Sequence, residues 1–235
     1  MSEALDKVRG VRELPLFPLP LVLFPGVPLP LHIFEERYRR MLADVRASNN
    51  LFGLSYFDPG SSAEDRPAVG HVGCATEVVE VQPMPDGRSN ILTVGVVRYS
   101  VSEYVERGDP YLVARVEFFE DERAADPLVL AKRAAEVTEM FMRIARAMRT
   151  INDERGTLPD LPQDDPERLS FLVAAVMEMD VESKQRLLEI RSTSERLRRL
   201  YTLLSQAVGA YESRARTHEL ARGNGHAGQK LDLEE

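Results

Sequence analysis

The stretch LPLFPLPLVLFPGVPLPLHIF, residues 14–34, contains no Asp, Glu, Lys or Arg and decides how the N-terminal half folds. A run of about 20 such residues is long enough for a membrane helix. Lys7, Arg9 and Arg12 before it resemble the basic start of a signal peptide. However, six prolines interrupt the stretch, and each interior proline costs a helix about 3 kcal/mol. The prolines therefore disfavour both a membrane helix and a cleaved leader.

The same stretch favours short extended segments. The pair Pro25-Gly26 predicts a turn with a strand on either side of it. Because proline has no N–H to donate to a sheet, these strands are expected at a sheet edge or at a bulge. Leu14, Leu16 and the run 19–24 are expected to supply core side chains.

Composition limits the class of protein. The chain has 235 residues, 43% of them hydrophobic, with one cysteine and a formal net charge of −8. A single cysteine excludes an internal disulfide framework and a four-thiolate zinc site. Residues 1–122 hold 12 Lys/Arg and 19 Asp/Glu, so the negative charge is concentrated there and would repel a nucleic-acid backbone. We expect a globular cytoplasmic protein that does not bind nucleic acid or a membrane.

Hydrophobic periodicity predicts a mostly antiparallel β domain with one helix in the first half of the chain. The predicted strands that follow the proline-rich stretch cover residues 51–57, 69–82, 91–99 and 111–119. The helix is predicted over 34–47, with an inner face of Phe34, Tyr38, Met41, Leu42 and Val45. MPDG, residues 84–87, predicts a hairpin turn because an Asp-Gly pair follows a proline between two β-rich runs.

The second half predicts helices. Asp126-Pro127 and Asp165-Pro166 each combine an N-cap with a proline at the first helical position. A short helix is predicted over 182–189, and Ser192 with Glu195 forms a capping box that opens a long helix. The expected inward positions are Leu130, Ala134, Val137, Phe141, Ile144 and Met148, then Leu169, Leu172, Val173, Val176 and Met177, then Leu197, Leu200, Leu204, Val208 and Tyr211.

The composition predicts three parts of the chain. They are a β domain over residues 1–122, a helical bundle over 123–221, and a Gly-rich, acidic and disordered tail over 222–235. The sequence carries no signal for an oligomeric state.

No residue is assigned to catalysis, a cofactor or a metal. His71 and Cys74 have a metal-like spacing, but a metal site needs three or four ligands and no further ligands cluster near them in the sequence. Cys74 is expected to be a buried strand residue. Gly223, Gly225 and Gly228 match G-x-G-x-x-G by letter only, because that motif follows a strand and opens a helix.

Three other groups of residues were weighed as sites. Ser183-Lys184 is an adjacent Ser/Lys pair, but neighbours on a helix point about 100° apart, so a solvated face is the simpler interpretation. An RNA contact is the alternative for the basic last helical region, where acidic residues are interleaved with the arginines Arg191, Arg196, Arg198, Arg199, Arg214 and Arg216. A peptide-binding patch could involve the aromatic residues near strand ends, namely Tyr56, Phe57, Tyr104, Phe118 and Phe119.

Three segments together resemble the amino-terminal, substrate-binding domain of Lon proteases. The first, LPLFPLPLVLFPGVPLPLHIFEERYRRML from Leu14, resembles the family's Leu-Pro-Leu strand, Phe-Pro-Gly turn, Pro-Leu strand and helix. The second, residues 72–101, resembles its glycine-led strand, Pro-Asp-Gly hairpin and G-x-x-R strand. The third, residues 182–206, is similar to its segment from a Lys-Gln pair to the Arg-Leu of the next helix. The resemblance covers residues 12–215.

The resemblance implies an α+β fold, in which a PUA-like (pseudouridine synthase and archaeosine transglycosylase) β-barrel precedes a helical bundle. It also implies recognition of unfolded or tagged polypeptides or of a partner protein, as an adaptor in bacterial protein quality control. The 235 residues contain no G-x-x-x-x-G-K-[ST] phosphate-binding loop. We therefore expect a stand-alone, non-catalytic, cofactor-free form that lacks the ATPase module and the Ser-Lys protease dyad, although similarity alone would class it with peptidase S16. An RNA-binding PUA-like protein is the alternative.

Overall fold

A computed structural model describes residues 2–58, 60, 65–154 and 157–225 of the chain, with backbone only for 223–225. Its strands are β1 (Glu13–Leu19), β2 (Pro28–Ile33), β3 (Leu51–Tyr56), β4 (Val72–Pro83), β5 (Ser89–Tyr104) and β6 (Leu112–Phe119). Its helices are α1 (Glu3–Lys7), α2 (Glu36–Arg46), α3 (Pro127–Ile151), α4 (Pro166–Val176), α5 (Val181–Glu189) and α6 (Thr193–Gly225). The α+β class predicted from the sequence is confirmed.

The strands form one mixed sheet in the order β2-β5-β4-β3-β1-β6, and β6 pairs with β5 as well as with β1. β1 and β3 run parallel. The pairings β1–β6, β2–β5, β3–β4, β4–β5 and β5–β6 are antiparallel. β5 is the longest strand, and it pairs with β2 through residues 89–94 and with β6 through residues 98–104.

The predicted turns connect these strands. Gly26, between β1 and β2, has φ of +75°, a conformation that glycine adopts without steric cost. In the β4–β5 hairpin, the Gly87 N–H donates to the Met84 carbonyl at 3.0 Å and the Met84 N–H donates to the Arg88 carbonyl at 2.8 Å. The MPDG hairpin is therefore confirmed, and β2 lies at a sheet edge as its prolines predict. For β1 the same expectation was wrong, because β1 pairs with β3 on one side and with β6 on the other, without a bulge.

The sheet has two clusters of buried side chains. One contains the buried face of α2, namely Tyr38, Met41, Leu42 and Val45, packed with Phe17, Phe52, Val78 and Ile91. The other contains Leu14, Leu16, Val97, Tyr99, Val101 and Val116, with Val8 from the residues after α1. Tyr99 is fully buried and its hydroxyl is 2.7 Å from the Ser55 hydroxyl. It fits because Gly53 and Gly73 lie against its ring, where a Cβ would come within 2.6 and 2.5 Å of Tyr99 atoms.

Arg98 ties a distant segment to the sheet. Its side chain is 1% exposed and forms an ion pair with Asp121. The guanidinium also donates to the carbonyls of Leu188 at 2.9 Å and Ile190 at 2.6 Å, at the end of α5. It lies over the Phe119 ring at 4.6 Å. Because these acceptors lie about ninety residues away in sequence, Arg98 holds α5 against the strands.

The described residues form two compact units. One comprises the residues up to Arg123 together with Phe171–Ser192, and the other comprises Ala124–Ser170 together with the residues from Thr193 onward. Residues 171–192 thus belong to the unit of the sheet. The predicted domain boundaries at 122 and 221 stay a prediction, because compactness does not show which segments fold independently.

The second unit is built on α3 and α6. Asp126 caps α3 by accepting from the N–H groups of Leu128 and Val129, as its position before Pro127 predicts. The facing side chains include the buried Ala134, Val137, Ile144 and Ala147 of α3 and Leu200, Leu204, Val208 and Ala215 of α6. Arg143 pairs with Glu212 at 2.9 Å across the two helices. This pairing of helices confirms the inward face predicted for most of these positions.

Several predicted positions were wrong. Phe34 precedes α2, which begins at Glu36, and its side chain is 58% exposed instead of lying on the helix's inner face. Val176 is also exposed, because it is the last residue of α4, and Met148 is exposed near the end of α3. The helix α6 continues to Gly225, so residues 222–225 are helical and not a disordered tail. Residues 226–235 lie outside the described residues.

Candidate functional site

Cys74 and His71 do not form a reactive pair. Cys74 lies in β4 and is fully buried, and burial raises the pKa of its thiol to about 12, which leaves it protonated at neutral pH. Burial lowers the pKa of His71, which disfavours the imidazolium. Among the described residues there is no group of three His, Cys, Asp or Glu side chains that could hold a metal ion. Cys74 is therefore a strand residue of the core, as the sequence predicts.

Ser183 and Lys184 point to different partners. The Ser183 hydroxyl donates to an Asp180 carboxylate oxygen at 2.7 Å, within the N-terminal cap of α5. The Lys184 ammonium donates to the Ala175 carbonyl at 2.8 Å, and burial lowers its pKa. Lys184 is thus half-buried and bonded to α4, which corrects the prediction of a solvated face. Both side chains hold α5 in place and do not form a dyad.

The glycine pattern does not form a dinucleotide site, and three arginines of the basic region have partners within the protein. Gly223 and Gly225 end a helix, whereas the dinucleotide motif opens one; Gly228 lies outside the described residues. Arg196 is fully buried and donates to the Ser170 hydroxyl at 2.7 Å. Arg198 is paired with Glu195, and Arg191 lies 4.1 Å from the Phe119 ring centroid in the unit of the sheet. Arg191, Arg196 and Arg198 are thus engaged within the protein, whereas Arg199, Arg214 and Arg216 are exposed on α6.

The five aromatic residues weighed from the sequence are half-buried and do not form an exposed patch. The Tyr56 hydroxyl donates to Glu182 at 2.9 Å, and the Tyr104 hydroxyl donates to the Pro67 carbonyl at 2.7 Å. Phe119 lies between the guanidinium groups of Arg98 and Arg191. Their main contacts are internal, so the exposed apolar surface must be sought elsewhere.

One such surface lies on three strand segments, which we call the arm: all of β2, residues 89–94 of β5 and residues 78–83 of β4. Pro28, Pro30 and His32 of β2 are opposite Val94, Leu92 and Asn90 of β5. Glu80 and Gln82 of β4 are opposite Leu92 and Asn90. Side chains of directly opposed residues share one face of a sheet, and the alternate residues Ile33, Val78 and Ile91 are buried on the inner face. The opposite face, which we call the arm face, is therefore turned outward.

The arm face carries exposed apolar side chains. Leu92 is 36% exposed and Val79, the extra residue at a bulge in β4, is 49% exposed. Phe34, directly after β2, stacks on His32 with ring centroids 6.0 Å apart and an interplanar angle of 23°. The His32 Nδ1 lies 2.7 Å from the Asn90 side-chain oxygen, which fixes the imidazole. Leu92 and Val79 lie near one another at the bulge, and Phe34 lies four residues along the chain from Pro30, the partner of Leu92. Exposed apolar side chains grouped on one face are typical of a binding surface.

The free edge of β2 lacks N–H donors at two of its outward positions. The Gly95 N–H donates to the Val27 carbonyl at 3.0 Å, so this carbonyl is directed towards β5, while the Val27 N–H donates to the Phe24 carbonyl at 3.2 Å. Because these directions alternate along an antiparallel strand, Leu29 also faces β5, while Pro28 and Pro30 face outward. Neither proline has an N–H. An added strand would find carbonyl acceptors at these two positions but no donors.

The free edge of β4 is interrupted as well. Met84 bonds to Arg88 across the hairpin, so by alternation Glu80 and Gln82 face β5 while Val81 and Pro83 face outward. The Val78 N–H is already bonded to the Asn50 carbonyl at 2.9 Å. Between the bulge at Val79 and the proline, Val81 alone offers an outward N–H. Bulges and prolines are devices that protect edge strands.

The sequence analysis did not identify Phe34, Val79 and Leu92 as exposed residues of a candidate binding surface. Phe34 fits the spacing of the α2 inner face, so only the helix start at Glu36 shows that it lies outside. The prolines of β2 did signal an edge strand. The side that Leu92 faces depends on its register with β2 and β4, which a single sequence does not fix.

The candidate site is therefore a binding surface: an exposed, partly apolar sheet face in an α+β domain, between two edges that are protected against strand pairing. Comparison with known families identifies the domain: the family model described as the ATP-dependent protease La (LON) substrate-binding domain matches residues 13–206. The chain belongs to this family.

Curated relatives and solved structures agree with this assignment. The chain is 27% identical over 202 residues to Lon protease 2 of Herpetosiphon aurantiacus, covering 85% of this chain and 24% of the relative. It is 26% identical over 198 residues to the Lon protease of Brevibacillus choshinensis, covering 83% of this chain and 25% of the relative. The chain thus spans about a quarter of the length of these relatives.

Two solved structures share the fold. The Lon N-terminal domain protein from Xanthomonas campestris matches with a TM-score of 0.58 at 21% identity, over 82% of this chain and 98% of that one. The N-terminal domain of the Mycobacterium avium complex Lon protease matches with a TM-score of 0.60 at 19% identity, over 83% of this chain and 98% of that one. In the part of the chain that the structure describes, every helix is too short or too polar to cross a membrane.

Proposed function

We propose that this chain is a non-catalytic polypeptide-binding module that captures unfolded segments on the arm face, in the manner of an adaptor for protein quality control. The observation that carries the proposal is the exposure of Leu92 and Val79, and of Phe34 directly after β2, beside a sheet whose inner face is well packed. Membership of a substrate-binding family supports it. Bacterial relatives and an acidic composition favour action in a bacterial cytoplasm.

We also infer that the ring of pairings β5-β4-β3-β1-β6-β5 corresponds to a PUA-like barrel, to which β2 adds an outer strand. The double pairing of β6, with β1 and with β5, supports this description. It explains why β5 reaches beyond the ring: its residues 89–94 leave the ring and carry the arm face.

The binding proposal is tested with a permanently unfolded model protein, reduced and alkylated with a neutral reagent. We expect saturable binding by fluorescence anisotropy, and about tenfold weaker binding for the double variant Phe34→Ser/Leu92→Ser, which corresponds to about 1.4 kcal/mol. The matched control is Leu128→Ser/Leu220→Ser, which removes two leucines that are 83% and 70% exposed in the other unit. Equal losses in both double variants, or no binding by the unaltered chain, would contradict the proposal.

The non-catalytic part is tested separately. Peptide hydrolysis is not expected from the purified chain, because Ser183 and Lys184 are directed to Asp180 and Ala175. ATP hydrolysis is not expected because the 235 residues contain no G-x-x-x-x-G-K-[ST] loop. Turnover that copurifies with the chain and disappears in Ser183→Ala would overturn this expectation. An RNA-binding role would instead appear as an affinity for single-stranded RNA that falls steeply with salt and is unaffected by the arm-face variants.

A further inference from the structure

The unit that carries the arm face is acidic. The unit of the sheet, residues 1–123 with 171–192, holds 16 Lys/Arg and 23 Asp/Glu, a net charge of −7. Glu80 lies on the arm face opposite Leu92. Glu36 lies two residues after Phe34, in the first turn of α2. Two exposed carboxylates therefore border the apolar side chains.

Three of the cations near the arm face are paired, whereas Arg39 of α2, whose guanidinium lies beside Gly87 in the β4–β5 hairpin, has no ion pair among the described residues. Arg37 pairs with Glu35 at 2.8 Å, Arg88 pairs with Asp86 at 2.6 Å, and Lys7 pairs with Glu77 at 2.7 Å. By contrast, among the described residues no cation pairs with Glu36 or Glu80. Glu80 instead accepts from the Gln82 amide at 2.8 Å, which leaves its charge unneutralised. A bound segment that brings its own cations would neutralise these two carboxylates.

We propose that the arm face binds extended apolar segments that carry Lys or Arg, and that it holds them by side-chain contacts without adding a strand to the sheet. This inference rests on the proposed function and names the class of polypeptide that the surface accepts. Charge complementarity favours cationic segments and opposes acidic ones. The prolines at 28 and 30 and the bulge at Val79 exclude a continuous backbone ladder at either edge of the arm.

The charge preference is tested with two labelled peptides that share one central segment of Leu, Phe and Ser and differ only in flanks of three lysines or three glutamates. We expect the lysine peptide to bind about tenfold more tightly in 50 mM salt, and the ratio to shrink in 500 mM salt because screening shortens the Debye length. The double variant Glu36→Gln/Glu80→Gln should reduce the ratio by about threefold. The control Glu106→Gln/Glu117→Gln removes the same charge from exposed positions on and before β6. It should leave most of the affinity ratio between the two peptides unchanged.

The mode of contact is tested with the lysine peptide methylated at alternate backbone nitrogens. Side-chain recognition predicts an affinity within about threefold of the parent peptide, whereas strand addition relies on main-chain hydrogen bonds and would be abolished. Loss of binding on methylation, or equal affinity for the lysine and glutamate peptides, overturns this inference while the unfolded model protein still binds. If the unaltered chain binds neither the model protein nor either peptide, the proposed function itself fails.

Discussion

The two halves of strand β5 have opposite surroundings. Residues 89–94 lie in the arm, with Leu92 turned outward between two blunted edges. Residues 97–101 are packed in the core, where Arg98 and Tyr99 are almost fully enclosed. The same strand therefore contributes core residues at one end and exposed residues at the other. Stability and binding should depend on different ends of β5, and substitutions can separate them.

The largest effect is expected at Arg98. Arg98→Ala would leave the Asp121 carboxylate buried without its cation and would remove the donor to Leu188 and Ile190. Breaking a buried ion pair in this way costs about 3–5 kcal/mol in free energy of unfolding. Urea denaturation measures the loss, and hydrogen exchange should show that amides of α5 lose protection first.

The control for this substitution is Arg115→Ala. Arg115 is 56% exposed and pairs with Glu13 and Glu103 on the surface. Exposed pairs contribute about 1 kcal/mol or less. Similar losses for Arg98→Ala and Arg115→Ala would show that the enclosed half of β5 does not depend on its buried arginine.

A smaller loss is expected when a methyl group is forced against Tyr99. In Gly73→Ala the new Cβ would lie 2.5 Å from the Tyr99 ring and 2.6 Å from the Leu54 carbonyl oxygen, so the backbone must shift. Overpacking of this kind costs about 1–3 kcal/mol. Gly209→Ala is the matched control, because Gly209 has open space around it in α6 and alanine stabilises a helix interior by about 1 kcal/mol. Thermal or urea unfolding should therefore move in opposite directions in the two variants.

The stability of the folded protein should also depend on pH through His71, which lies directly before β4. Its carbonyl accepts from the Val101 N–H at 3.0 Å, and burial lowers the pKa of its imidazole. The unfolded chain, with an ordinary histidine pKa near 6.5, then binds more protons than the folded one. The free energy of unfolding should fall as pH falls through 6.5 towards 5. His71→Gln should make this fall shallower; an equal slope in the unaltered protein and in His71→Gln would contradict the account.

Local signals predicted most of the fold. The prolines and Pro25-Gly26 indicated two strands around a turn, and Asp86-Gly87 indicated the β4–β5 hairpin, because turn chemistry acts over a few residues. Asp126 likewise marked the start of α3. The placement of residues 171–192 beside the sheet was not predictable in this way. It depends on Arg98 reaching carbonyls about ninety residues away.

The candidate site was less accessible to sequence reasoning than the fold. The sequence suggested aromatic residues near strand ends, such as Tyr56 and Phe119, and these turned out to have internal partners. Exposure of Leu92 follows from the register of three strands, and exposure of Phe34 follows from where α2 begins. A single residue's shift in either would turn these side chains to the other face.

The most direct test of the central claim measures stability and binding in the same variant, Leu92→Ser. Because Leu92 is 36% exposed, its removal should lower the free energy of unfolding by about 1–2 kcal/mol, which leaves the protein folded. Its loss from the arm face should weaken binding of the unfolded model protein at least about threefold, which is about 0.7 kcal/mol. Weakened binding by a stably folded variant supports the claim that binding depends on residues 89–94 of β5 and stability on residues 97–101. Unchanged binding in a folded Leu92→Ser protein would show that polypeptides are held elsewhere.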